Sequence, residues 1–169
     1  MNADQHLIKV FEYALNQEKT GMNFFSNALS IMGVGEAITA FKILIAEEKK
    51  HIEFIQNILS DVTRKGEVEV STIQAVTMDQ TNFFSTRSES QFLQECVQGS
   101  MVPDITVFNT AWLIEKDLSE FYDRMAKKYQ GKVRESLQML ADWEKGHERY
   151  FRAYRDRLSQ LYSDMPWGG

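Results

Sequence analysis

Apolar residues recur in steps of three and four along four long stretches of this chain. Between about residues 4 and 30, Leu7, Phe11, Ala14, Leu15, Met22 and Phe25 keep that rhythm, the one-sided signature of an amphipathic helix. The stretch GVG at 33–35 interrupts it, and Ala37, Phe41, Leu44, Ile52, Ile55 and Ile58 resume it over about 36–60. So short a break predicts an antiparallel helical hairpin. Pro103 and Asp104 suit the first turn of a third helix over about 103–129. Proline needs no amide donor there, and a carboxylate favours the positive end of the helix dipole. Gln130 and Gly131 make a second tight break, followed by a fourth helix over about 132–162 that carries Val133, Leu137, Leu140, Ala141, His147, Phe151, Tyr154 and Leu158.

Residues 61–102 are too many for a hairpin loop and read as a crossover. Within it, SESQFLQECVQG predicts one short helix, with Ser88 as cap, Gln91 in the capping-box position and Gly99 as the stop. The alternation in GEVEVSTIQ suits a brief strand, but a lone strand has no partner to pair with. The tail, 164–169, is expected to be flexible. The expectation is an all-α single domain over residues 1–163, a four-helix bundle of two hairpins joined by a long crossover.

The two hairpins repeat one pattern. FEYALNQEKTGMNFF from Phe11 matches FNTAWLIEKDLSEFY from Phe108 at an offset of 97 residues, pairing Glu18 with Glu115, Lys19 with Lys116 and Phe25 with Tyr122. The second helix of each hairpin carries a Glu-x-x-His, Glu48/His51 and Glu144/His147. Positions three apart share a helix face, so each Glu and His can point at a common centre. These polar residues stand inside apolar stripes: Leu44 and Ile52 flank Glu48, Leu140 and Ala141 precede Glu144, and Ala111 and Tyr122 bracket Glu115. A carboxylate buried alone must be neutralised or pay a large desolvation penalty. Two divalent ions satisfy four carboxylates and two imidazoles together, so Glu18, Glu48, His51, Glu115, Glu144 and His147 are the candidate metal ligands. Mixed oxygen and imidazole donors favour iron or manganese and remain compatible with zinc. Glu47, Glu53, Glu120 and Glu148 read as solvated surface charges, His6 as an ordinary N-terminal residue, and Met22, Met125 and Met139 as core filler.

Composition narrows the function classes. A formal net charge of −5 and a pI near 5.3 argue against nucleic acid or an anionic membrane as partner. No segment has the length of a membrane span, and the opening MNADQHLIKVFEY lacks a basic region followed by an apolar one, so a cytoplasmic protein is expected. The single cysteine, Cys96, reads as a small buried apolar group in a reducing compartment, and no C-x-x-C pair is present to build a zinc or rubredoxin-type iron site.

EKTGMNFF, EKDLSEFY and the two Glu-x-x-His segments resemble the helix signatures of the ferritin-like superfamily, most closely the rubrerythrin-related di-iron proteins, over about residues 5–60 and 104–160. That resemblance implies a ferritin-like bundle with two iron ions that react with hydrogen peroxide or dioxygen. Glu18 and Glu115 would be the lone carboxylates, Glu48 and Glu144 the other pair, and His51 and His147 would cap one iron each. Which carboxylates bridge stays open. Tyr122 is the candidate catalytic hydroxyl, and Phe25, Ile52, Trp112, Tyr122 and Phe151 are expected to line a dry pocket. Three departures stand out. The cysteine pairs of a rubredoxin module are absent from this sequence, which implies an external electron donor, such as a separate rubredoxin-like protein, or Fe(II) itself. Leu118 occupies the position of an additional glutamate, and Phe25 that of a first-helix tyrosine. The resemblance also suggests a homodimer. The alternatives are a ferroxidase or iron-binding protein without peroxide turnover, and a metal-free helical interaction module.

Overall fold

A computed structural model of the chain describes residues 3–31, 36–77 and 105–164. Five helices are present among them: α1 (Ala3–Ile31), α2 (Glu36–Lys65), α3 (Val70–Thr77), α4 (Ile105–Ala126) and α5 (Gly131–Asp164). The four long ones form a bundle in which α1 packs on α2, α4 packs on α5, and α1 also meets α4. Each inward stripe follows the helical period: Phe11, Ala14, Glu18, Phe25 and Ala28 on α1, and Phe41, Leu44, Glu48, His51, Ile55 and Ile58 on α2, are all buried. On α4 the buried stripe is Phe108, Ala111, Glu115, Leu118 and Tyr122, and on α5 it is Leu137, Leu140, Ala141, Glu144, His147, Phe151 and Tyr154. The polar members therefore stand in register with the core rather than beside it.

Two apolar clusters hold the bundle, one on each side of these polar positions. One gathers Phe11, Phe54, Ile55, Ile58, Leu118, Tyr122, Leu137 and their neighbours. The other is strongly aromatic and contains Phe25, Phe41, Phe108, Tyr150, Phe151 and Tyr154. Phe25 stacks on Phe151 at 5.5 Å between ring centres, and Phe41 meets Phe108 edge-on at 5.4 Å. Such pairs add directional preference to the burial of large apolar surfaces. Across the α4–α5 hairpin, the buried Ser119 hydroxyl donates to the Ala141 carbonyl at 3.4 Å.

Several boundaries differ from those the periodicity predicts. Helix α2 continues past residue 60 to Lys65 because Val62 extends its buried stripe, and it stops at Gly66, whose φ of 75° is the left-handed conformation that ends helices. Helix α4 ends at Ala126 rather than 129, where a turn closes through the Lys128 amide to the Met125 carbonyl at 2.9 Å. Gly131 then enters α5 with a φ of 59°. Val70–Thr77 is a helix, not the strand its alternation allowed. The short helix expected at 88–99, the break at 33–35, the first turn at Pro103 and Asp104, and the tail beyond Asp164 lie outside the described residues. Among the described residues no helix is long and apolar enough to cross a membrane.

Asp61 explains why α3 forms. Its Oδ2 accepts hydrogen bonds from the Glu69 amide at 3.2 Å and the Thr72 hydroxyl at 2.6 Å, tying the last turns of α2 to the first turn of α3. Val68 and Ile73 then enter the first core cluster. Burial pushes the Asp61 carboxyl up, but these two bonds and the Arg64 guanidinium outweigh it and hold the group below its usual 3.8. Replacing Asp61 with Ala should lower stability by about 1–3 kcal/mol at neutral pH. Because the folded value is depressed, the contribution is fully present above the unfolded value of about 3.9 and is lost as pH falls through the folded one. Denaturant titrations of both proteins should therefore show a gap at pH 7 that narrows below about pH 4; a gap independent of pH would refute the ionic role.

Candidate metal centre

Between the two apolar clusters stand the six predicted ligands, one carboxylate from α1 (Glu18), one from α4 (Glu115), and a Glu-x-x-His from each of α2 and α5. Glu18, Glu48, Glu115 and Glu144 are completely buried, with His51 and His147 at 3% and 2% exposure. Ligand atoms of Glu48, His51, Glu144 and His147 all lie within 4.8 Å of one another. Glu18 joins at one end, with Oε2 3.8 Å from His51 Nδ1, and Glu115 at the other, with Oε2 3.5 Å from His147 Nδ1.

The middle carboxylates face both ends. Glu144 turns Oε1 to His51 Nδ1 at 2.7 Å and Oε2 to His147 Nδ1 at 3.6 Å. Glu48 does the reverse, with Oε1 2.9 Å from His147 Nδ1 and Oε2 3.8 Å from His51 Nδ1. The hairpins thus cross over, each histidine lying nearest the glutamate of the other Glu-x-x-His. The imidazoles stack on one another at 5.2 Å, and the Trp143 ring stacks on His51 at 4.9 Å and 16°.

Whether these residues suit metal ions can be judged from their hydrogen bonds. Both oxygens of Glu48, Glu115 and Glu144 and Oε2 of Glu18 are buried without a hydrogen-bond partner. His51 Nδ1 is near Glu144 Oε1 but is not aligned to donate to it. Buried acceptors left unsatisfied are strongly destabilising, and folded proteins rarely concentrate them in one place. Lone pairs from two imidazoles and four carboxylates converging on one small volume fit a pair of divalent cations, which would also balance the four negative charges. The residues fit a di-metal site.

Without cations, protons take their place. Burial disfavours the His51 cation, but Glu144 and Glu48 beside it prevail and push its pKa up to about 10. His147 is likewise raised well above 6.5, its burial overcome by Glu115, Glu144 and Glu48. Burial, reinforced by the charge of Glu144, pushes the Glu18 and Glu115 carboxyls well above 4.5. Glu144 moves the other way: burial opposes its charge, but the His51 cation and its other partners hold it well below 4.5.

Tyr122 is buried and its hydroxyl donates to Glu18 Oε1 at 2.5 Å, spanning from α4 to α1. Burial, then the neighbouring Glu18 charge, raises its pKa well above 10, so it stays a donor. The expected pocket lining is divided. Phe25 and Phe151 belong to the aromatic cluster and Tyr122 to the other one, while Trp112 packs at the edge beneath the Arg155 guanidinium, 4.2 Å from its ring centre. Met125 and Met139 pack against the first core cluster. Glu47 pairs with Lys50 at 3.0 Å and Glu120 with Lys116 at 3.8 Å, as surface charges do. His6 is exposed, its Nδ1 2.8 Å from the Tyr129 hydroxyl. Cys96 lies outside the described residues. Pattern reading missed Trp143, whose place one turn before His147 on α5 was the available signal.

Opposite pH dependences follow for the metal-free and loaded protein. A group with a raised folded pKa stabilises fully below its unfolded value and loses that contribution as pH rises through the folded one. The His51 window runs from 6.5 to about 10, and raised Glu18 and Glu115 act in the same direction from 4.5 upward. Metal-free protein should thus melt at lower temperature as pH goes from 7 to 9. Metal affinity should rise over the same range, since binding displaces more than one proton per chain, measurable by calorimetry in buffers of different ionisation enthalpy. At a thousandfold excess over Kd, each ion should stabilise by about 4 kcal/mol, raising Tm by about 10 °C for a chain of this size. Glu115→Gln should reduce that rise without lowering the melting point of the metal-free protein. A Tm unmoved by Fe(II), Mn(II) or Zn(II) would contradict the metal assignment.

Comparisons with known proteins bear on the fold and the family. A hypothetical protein from Pyrococcus furiosus, of solved structure, is similar in fold at a TM-score of 0.64 and 18% identity, over 95% of this chain and 93% of that one. No curated protein gives a significant match. The rubrerythrin family model matches residues 9–155, from the first turns of α1 to the end of the aromatic stripe on α5 and across all six candidate ligands. The chain belongs to the rubrerythrin family, with the ferritin-like fold and a buried carboxylate–histidine cluster that fits a di-metal site.

Proposed function

We propose that this protein is a di-iron carboxylate oxidoreductase whose oxidant is hydrogen peroxide or dioxygen. The observation that supports this most directly is the convergence of unpaired buried oxygens from all four long helices on two histidines. Glu18 with His51 would hold one ion and Glu115 with His147 the other, and Glu48 and Glu144, each facing both histidines, would be shared between the two halves of the site. The chemistry such a site would supply, with two ferrous ions held there, is one electron from each, enough to turn one hydrogen peroxide and two protons into two waters.

The chain's own residues do the rest. Phe25, Phe41, Phe108 and Phe151 exclude water from one side of the site and Leu118 and Leu140 from the other, keeping the ligands in a low-dielectric surround. Tyr122 holds its proton on the hydroxyl oxygen and fixes the orientation of Glu18. Residues 1–169 supply one cysteine and no C-x-x-C pair, so the electrons that return the metals to the ferrous state would come from a donor outside them.

Leu118 favours a second reading. It is buried in the first core cluster, so the position of the extra glutamate in the family carries no carboxylate here. A plain six-ligand site of this kind also suits oxidation of Fe(II) by dioxygen without peroxide turnover. Anaerobic Fe(II) titration followed by stopped-flow absorbance, with H2O2 and O2 mixed separately, distinguishes the two. The first reading predicts two irons per chain, oxidised faster by peroxide, with Glu115→Ala slowing oxidation more than about a hundredfold. Faster reaction with dioxygen would point instead to an oxidase or to the second reading, and no stoichiometric binding would overturn both.

A further inference from the structure

We infer that the two halves of the site are unequal: Tyr122 makes the Glu18/His51 half bind its divalent ion more tightly, and Phe25 leaves the Glu115/His147 half weaker, so that two ions load in separable steps. This rests on the di-metal reading above and concerns how the chain's own residues divide the site.

The repeat supplies the comparison. The same 97-residue offset that takes Glu18 to Glu115 takes Phe25 to Tyr122. Tyr122 sits on the second hairpin yet donates to Glu18 on the first, at 2.5 Å. The reciprocal arrangement would bring a hydroxyl at position 25 to Glu115. Position 25 is a phenylalanine, and its ring is committed to the aromatic cluster, stacked on Phe151 at 25° and edge-on to Phe41. The consequence is visible in the carboxylates: Glu18 retains one oxygen without a hydrogen-bond partner, whereas Glu115 has two.

One buried hydrogen bond of this kind changes metal binding because it fixes the carboxylate before the ion arrives. Glu18 is already held in one orientation and loses little side-chain freedom on binding; Glu115 must be ordered by the ion itself. Trp143 reinforces the difference by stacking its ring on His51, in the same half as Glu18. The hydroxyl also withdraws some negative charge from Glu18, which acts in the opposite direction. Orientation prevails, since losing the hydrogen-bonding partner of a metal ligand typically lowers affinity about 10- to 100-fold. Tyr122 is thereby a positioning residue, acting through Glu18.

The test is titration of the metal-free full chain with Co(II) and separately with Zn(II), followed by calorimetry and, for Co(II), visible absorption. The native chain should bind two ions with dissociation constants about 10- to 100-fold apart. Tyr122→Phe should weaken the tight step by a similar factor and merge it with the second, keeping a stoichiometry of two. Phe25→Tyr should tighten the weak step alone, a gain that general damage to the fold cannot imitate. Melting of each metal-free variant near the native temperature verifies folding, and Tyr122→Phe carries the test by itself if the added hydroxyl at 25 is not accommodated. Two ions bound in one unresolved step, or a Tyr122→Phe chain with both steps unchanged or equally weakened, would overturn the inequality and leave the di-metal reading intact. A native chain that binds no ion would overturn that reading instead.

Discussion

Four carboxylates and two imidazoles enclosed in the middle of a helical bundle are the constraint around which the rest of this protein is arranged. Each occupies a position in a helical stripe that would otherwise hold a core residue, between Ala14 and Phe25 on α1 and between Leu140 and Phe151 on α5. Burial alone would make such a group a liability, because an ionised side chain away from water loses far more hydration energy than an ordinary contact returns. The metal-free protein meets this by taking up protons, with both histidines held as cations and Glu18 and Glu115 pushed toward neutrality. Cations would meet it without protonation and would release those protons on binding. On the di-metal reading, the same groups whose burial is costly without metal are the ones that would bind it.

Apolar packing makes that arrangement stable enough to exist. The aliphatic-rich cluster on one side and the aromatic one on the other clamp the four helices above and below the polar layer, so that the ligands are fixed by the backbones carrying them. Repetition of one hairpin gives the site its pseudo-twofold form, in which each middle glutamate faces both histidines. The repeat is imperfect. Tyr122 and Phe25 occupy equivalent positions, yet one orders a carboxylate and the other extends the aromatic wall. Leu118 likewise makes the wall apolar at the position where the family resemblance would put a further glutamate.

Much of this was readable from residue spacing, for physical reasons. Helical periodicity identifies the four long helices because their buried stripes run unbroken for many turns, and Glu18, Glu48, His51, Glu115, Glu144 and His147 stood out as polar residues at apolar positions. Their convergence could be anticipated because a repeated hairpin constrains which faces meet. That Glu48 and Glu144 each face both histidines could not, as it depends on which oxygen turns toward which ring. Helix α3 escaped for another reason: it forms through Asp61, a residue eight positions before Glu69 whose carboxylate caps at a distance, while its own sequence alternates like a strand. The division of Phe25 and Tyr122 between two clusters also lay beyond periodicity, since spacing places both residues inward without saying on which side of the polar layer they pack.

The most direct test of the central claim is a crystal of the protein loaded anaerobically with Fe(II), with anomalous diffraction collected on both sides of the iron absorption edge. Two edge-dependent peaks should appear between α1, α2, α4 and α5, with Glu48 and Glu144 reaching both, Glu18 and His51 on one, and Glu115 and His147 on the other. Full iron occupancy elsewhere on the chain, with this cluster holding no anomalous density, would contradict the account.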